Sequence, residues 1–140
     1  MNRRLYVLAT WLMWLALPLT ASTYLRVWDR LPRRMAVHFD INWQPNGWTS
    51  REGALYLGLG IIAFMLVTFT VGAYAARAGQ PKAAWPLMVM FYLILIGLWL
   101  VNHWIAQRNL NAQSSQSALL HAKLSPAYET QRFNVLQLHS

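Results

Sequence analysis

Four of the side chains with donor atoms for metal or acid–base chemistry could share one membrane face: His38 and Asp40 two residues apart, Glu52 twelve further on, and His103 far along the chain. Imidazole and carboxylate are ligands that zinc accepts, and zinc catalysis needs three protein ligands and an open position. The alternative is that His38 hydrogen-bonds within its own segment and fixes it, which is the expectation here, with no metal. His103 follows Asn102 and is the only histidine inside a long apolar run, which makes it a candidate haem or chlorophyll ligand. It lies about a turn from the end of that run, where it reaches interfacial water at little cost. Nucleophilic chemistry has no support: there is no cysteine, no Gly-x-Ser-x-Gly elbow, no phosphate-binding glycine loop and no acid pair within the apolar runs. The expectation is a protein that is not an enzyme and has no cofactor.

The elements that position these residues follow from composition. Of 140 residues 56% are hydrophobic and only 11% charged, outside the balance of a soluble domain. A bilayer core needs about 20 consecutive apolar residues per helix, and three runs supply them, Leu5 to Leu25, Ala54 to Ala76 and Ala83 to Ile105, none containing Asp, Glu, Lys or Arg. In lipid each backbone amide must be satisfied within its segment, so runs of this length form helices. The expected fold is an all-α integral membrane domain over residues 1–108, with spans at about 5–25, 54–76 and 83–105. An ordered extramembrane loop of residues 26–53 separates the first two spans, a tight hairpin joins the last two, and a polar tail covers 109–140. The first run has the features of a secretory signal, Arg3 and Arg4 before an apolar core and small residues Thr20, Ala21 and Ser22 after it, and is expected to stay as a signal anchor.

The net charge of +8 does not point to nucleic acid, because the basic residues flank the spans instead of sharing one face. There they meet lipid headgroups. Arg3 and Arg4 before the first span, with Arg77 and Lys82 in a short loop, favour a cytoplasmic amino terminus; Arg26, Arg30, Arg33, Arg34 and Arg51 in the first loop argue the other way. Charges tight against the first span carry more weight, which leaves the loop and the tail outside. Most of the tryptophans are expected to be interfacial anchors.

Local signals mark the ends of these elements. Thr49-Ser50-Arg51-Glu52 has the form of a capping box, with the Thr49 hydroxyl on the amide three residues on. Gly79 is placed to cap the second span in the left-handed conformation and Pro81 to start the third. Pro18 is expected to bend or end the first helix, with Thr20, Ser22 and Thr23 available to freed carbonyls. Ala54 with Gly58, Gly72 with Ala76, and Ala9 with Ala16 offer small-residue grooves for close helix contact. In the tail, Asn109 to Ser117 reads as a linker, Ala118 to Leu124 as two helical turns stopped by Pro126, and Phe133 with Val135 as a short extended piece. The tail is expected to pack on the loop.

The loop holds the densest signal. Gln44-Pro45-Asn46-Gly47 has the residue order of a tight β-turn. Before it His38, Asp40 and Asn42 alternate with Phe39, Ile41 and Trp43, so an extended arm would lay its aromatic face on the membrane. Leu31-Pro32, His38-Phe39-Asp40, Asn42, Pro45-Asn46-Gly47-Trp48 and Ser50-Arg51, running directly into a long apolar helix, are the candidate binding motif. This pattern resembles the short membrane domain of unknown function at the amino terminus of SdpI-type toxin-immunity proteins. It departs from that family's pattern at Ala36, where the family usually has proline, at Trp43, where it has glycine, and at Asn46, where it has aspartate. The resemblance implies a multi-pass protein of the bacterial inner membrane whose extracytoplasmic loop binds an envelope peptide or other partner. The alternative is a small accessory subunit of a larger membrane complex, respiratory or photosynthetic, with lipids and other membrane subunits as its partners.

Overall fold

The computed structural model describes residues 3–124. Three helical segments are long and apolar enough to cross a membrane: Arg3–Leu25, Arg51–Gly79 and Ala84–Lys123. The first is α1 (Arg3–Leu12) and α2 (Ala16–Leu25) joined by a 3₁₀ turn at Met13–Leu15. Pro18 causes the tightening, since it cannot donate to the carbonyl of Trp14 four residues back. The helix continues through it and does not end there. The Ser22 and Thr23 hydroxyls both donate to the Leu19 carbonyl, at 2.8 and 3.1 Å, so they do not serve the carbonyl that the proline frees.

The second span is α3 (Arg51–Gly79) and the third is α4 (Ala84–Lys123). Buried positions on α3 are Ala54, Gly58, Ile62, Leu66, Phe69 and Ala73, spaced by four and three, so one stripe of the helix turns inward. On α4 the stripe is Ala84, Met88, Phe91, Leu95, Asn102, Ala106 and Asn109. The two meet where Phe69 stacks on Phe91, ring centroids 4.2 Å apart and nearly parallel. Large apolar side chains point outward along all three spans, Leu8, Phe64 and Leu93 among them, as expected of helices that face lipid.

Polar groups tie the spans inside the apolar zone. The Tyr6 hydroxyl donates to the Ala73 carbonyl at 2.9 Å, Tyr92 donates to the Ala9 carbonyl at 2.7 Å, and Trp14 Nε1 donates to the Thr70 hydroxyl at 3.2 Å. Tyr24 of α2 donates to Asn102 of α4 at 3.0 Å. Gly58 of α3 lies against the same carboxamide, so closely that a Cβ there would collide with it. The small residue at 58 therefore does what its spacing from Ala54 predicts.

Several ends of elements differ from expectation. The fold is not all-α: residues 34–50 contain strands β1 (Arg34–Phe39) and β2 (Pro45–Ser50), paired antiparallel. Ser50, not Thr49, caps α3, its hydroxyl accepting from the Gly53 amide at 2.9 Å, so the capping box is absent. Gly79 stays helical and Gln80 ends α3, with no glycine at positive φ among the described residues. Pro86 falls in the first turn of α4, where its missing amide costs nothing. The run Asn109 to Ser117 is not a linker. It continues α4, which ends only at Lys123. A helix of 40 residues is about 60 Å long, roughly twice the hydrocarbon thickness, so its second half extends beyond the apolar zone. Phe133 and Val135 lie outside the described residues.

Candidate functional site: a cleft between a hairpin and a helix

The hairpin turns earlier than its proline and glycine suggest. Asp40 accepts the amides of Asn42 and Gln44 on one side-chain oxygen, at 2.9 and 2.8 Å, and its own amide donates to the Gln44 carbonyl at 2.9 Å. This carboxylate organises the turn at residues 40–44, while Pro45, Asn46 and Gly47 lie in β2. Proline is tolerated there as the first residue of an edge strand. Trp43 has φ +60°, the left-handed conformation that glycine adopts at no steric cost. The turn thus holds its strain at a tryptophan.

Two bulges lie within the strands. Ala36 pairs with Trp48 but His38 with Gly47, leaving Val37 unmatched; Phe39 then pairs with Pro45, leaving Asn46 unmatched. The second bulge cancels the shift introduced by the first, and the freed Asn46 hydrogen-bonds its side-chain oxygen with Nδ1 of His38. Gly47 is required for space. A Cβ there would lie 2.7 Å from the Cβ of His38, and its backbone needs no glycine-only conformation.

One side chain docks this hairpin on α4. Asn109, 5% exposed, accepts the Ala36 amide at 2.8 Å and donates to the Ala36 carbonyl at 2.9 Å, with a further bond to the Ile105 carbonyl at 2.8 Å. Its carboxamide makes the pair of bonds that a neighbouring strand would make. Proline at 36 would lack the donated amide, so the departure at Ala36 and the asparagine at 109 fit each other. Nothing in the isolated sequence linked positions 73 residues apart.

Two aromatic side chains of the hairpin, Phe39 and Trp43, turn toward α4. Phe39 and Trp43 meet Trp104 edge to face at 4.9 and 5.3 Å, and Arg108 lies 6.0 Å from the same ring. Ile41, expected to share their face, is at the turn and 93% exposed. Between the hairpin and the part of α4 beyond the apolar zone lies a cleft of about 310 Å³, walled by Phe39, Trp43 and Trp48 and, across from them, Arg108, Asn111 and Ser115. That volume is within the range of ligand sites. Arg108 is the one charged residue lining it.

The other motif residues hold the frame. Arg51 donates from Nη1 to the Trp28 carbonyl at 2.8 Å and lies 4.4 Å from that indole ring, while Leu31 is buried beside Tyr24 and Met35. Pro32 is half-buried two residues before β1. Among the described residues, no three of His, Asp and Glu come close enough to hold a metal ion. His103 is exposed on α4 and stacks on Trp99 at 5.8 Å. A larger groove of about 480 Å³, lined by Leu12, Leu19, Ile96 and Trp99 among others, lies on the lipid-facing side of the spans.

Sequence reasoning missed Trp104, Arg108 and Asn109 as parts of the site, and Trp43 entered it only as an aromatic in an alternating segment. The signal that was available is the buried stripe of α4: its spacing continues through Asn102, Ala106 and Asn109 past the end of the apolar run.

Residues 13–62 match the family model of DUF1648, described as a domain of unknown function. The matched segment runs from the 3₁₀ turn through the hairpin to the buried Ile62 of α3, and includes every residue of the loop motif. This agrees with the resemblance to a short domain of unknown function. The α4 wall of the cleft, with Arg108 and Asn109, lies outside the DUF1648 match. No curated protein and no solved structure matches the chain.

Proposed function

We propose that this is a non-enzymatic, multi-pass protein of a bacterial inner membrane that binds a partner at the hairpin, outside the cytoplasm. One observation carries the reading: the hairpin is fixed on α4 by Asn109, and the fixed pair encloses an aromatic-walled cleft on the water side of the spans. A loop that served only as a connection would not need a buried carboxamide to hold it in place. Arg3, Arg4, Arg77 and Lys82 flank the opposite ends of the spans and favour their retention in the cytoplasm.

The test is photo-crosslinking in native membranes, with a photoreactive phenylalanine derivative at Ala112 in the cleft or at Leu93 on the lipid-facing surface. The reading expects a discrete protein or peptide adduct at 112, absent at 93 and lost in Asn109→Leu. Lipid adducts alone at both positions would refute it.

A second reading, an accessory subunit of a larger complex, is favoured by the far end of α4, where Leu119, Leu120 and Leu124 are 62, 61 and 79% exposed. Three exposed leucines within six residues suit a partner helix. Under that reading the adduct forms at Leu120 and not at Ala112.

A further inference from the structure

The groove on the lipid-facing side of the spans leads up to a polar rim. Its walls are Leu12, Leu15 and Leu19 of the first span against Ile96 and Trp99 of the third. Each wall is one helical stripe. Steps of three and four residues carry the first from Leu19 through Thr23 to Arg26, and the second from Trp99 to His103. The His103 ring stacks on Trp99 with centroids 5.8 Å apart, which places it at the hairpin end of the groove. The bond from Tyr24 to Asn102 sets the two helices in register. Arg26 is two residues past that bond and His103 one, so the two stand at the same height. Both are exposed. Neither has a carboxylate partner: among the described residues the single ion pair joins Arg51 to Glu52.

Depth and shape select the occupant. Leu25 and Ile105 end their apolar runs. Counting from them along the helices, Arg26 is about 1.5 Å beyond the hydrocarbon edge and His103 about 3 Å inside it, while the groove lies roughly 9 to 20 Å below. A molecule that meets both levels is apolar for most of its length and anionic at one end. An acyl chain of one leaflet, about 15 Å or half of the hydrocarbon core, reaches from the rim into the groove. A second helix suits it poorly, because helices in lipid meet through small residues and only Ala16 of the lining is small. A guanidinium binds a phosphate with two parallel hydrogen bonds, and an imidazole N–H donates in either protonation state. We propose that the first and third spans hold a glycerophospholipid, its phosphate on Arg26 and His103 and one acyl chain in the groove. The site shares no lining residue with the cleft and does not rest on the binding reading above.

The experiment uses the full chain in phosphatidylcholine nanodiscs that contain equal amounts of phosphatidylglycerol and a diacylglycerol with the same chains. A photoreactive phenylalanine derivative replaces Ile96 in the groove or Leu93 on the outer face of α4, and adducts are identified by mass spectrometry. Phosphatidylglycerol should be captured over diacylglycerol about fivefold more strongly at 96 than at 93, the scale of one arginine at an anionic membrane surface. Arg26→Gln with His103→Leu should reduce the ratio at 96 to that at 93, and Arg26→Lys should keep part of it. Leu19→Trp, which fills the groove, should lower capture of both lipids at 96 only. Thermal melts in nanodiscs confirm that each variant is folded. Equal ratios at 96 and 93 mean ordinary surrounding lipid and overturn the site. A ratio at 96 that survives Arg26→Gln with His103→Leu overturns the headgroup assignment, and capture that Leu19→Trp leaves unchanged places the chain outside the groove. Loss of the ratio on adding soluble glycerol phosphate assigns the rim to free phosphate. A protein adduct at 96 gives the groove to a partner helix. Either result overturns the proposal.

Discussion

Trp43 shows how a single residue can be both a local cost and a tertiary gain. Holding a non-glycine residue in the left-handed region costs about 1–2 kcal/mol, and an edge-to-face ring pair returns about 0.5–1.5 kcal/mol beyond its area; here the pair is with Trp104. Trp43→Gly loses the ring but releases the strain, so turn stability should change little, while Trp43→Ala loses the ring and keeps the strain. Hydrogen exchange of the amides of Asn42 and Gln44 should therefore be faster in the alanine variant than in the glycine variant, an order that a pure contact-loss account would not give. Asn109 presents the opposite case, a residue with gain and no strain. Asn109→Leu leaves the Ala36 amide and carbonyl without partners, at about 1–3 kcal/mol each. Trypsin should then cleave at Arg33 and Arg34 in the folded protein faster by tenfold or more. Asn109→Asp keeps an acceptor for the amide but no donor for the carbonyl, and should fall between the two.

The ends of the elements decide where the site forms. Ser50 caps α3 through the Gly53 amide, so Ser50→Ala should lower stability by about 1 kcal/mol and Thr49→Ala by much less, read from thermal melts in detergent. The three spans were legible because uncharged runs of helix length leave no other solution in lipid. The hairpin was legible only in part. Alternation marked an extended segment over 38–43, of which only His38 and Phe39 lie in β1; Pro45-Asn46-Gly47 outweighed Asp40 as a turn signal, and only the structure shows that the Asp40 side chain supplies the bonds that make the turn. The length of α4 was hidden for a different reason. Asn and Ser between positions 109 and 117 have weak helix preference in isolation, yet Asn109 is held by the hairpin and the helix continues beyond it. The cleft depends on that continuation. Gln113→Pro, which breaks the helix between Asn111 and Ser115, should leave the spans intact by far-ultraviolet circular dichroism while removing the partner adduct at Ala112.

At the scale of the molecule, the first, second and third spans meet at one polar point: Tyr24, Gly58 and Asn102. Without water, helices in lipid associate through close packing and shared hydrogen bonds, and this point uses both, because the absence of a side chain at 58 makes room for the carboxamide that Tyr24 reaches. It also lies beneath the hairpin. Tyr24 packs with Leu31, Met35, Ala54 and Ala106 in the cluster that joins the spans to β1, so a disturbance there should reach the cleft. Gly58→Ala forces the new Cβ against Asn102 and should cost about 1–3 kcal/mol as an overpacked contact. Asn102→Ala alone removes an interhelical bond of roughly 0.6 to 1.7 kcal/mol. In the double variant the smaller residue at 102 admits the Cβ at 58, so the combined loss should be well short of the sum, with a coupling of at least about 1 kcal/mol. Denaturant titration of the four proteins in mixed micelles measures that cycle. Additive losses would mean that Gly58 and Asn102 act independently and that the spans are held together elsewhere.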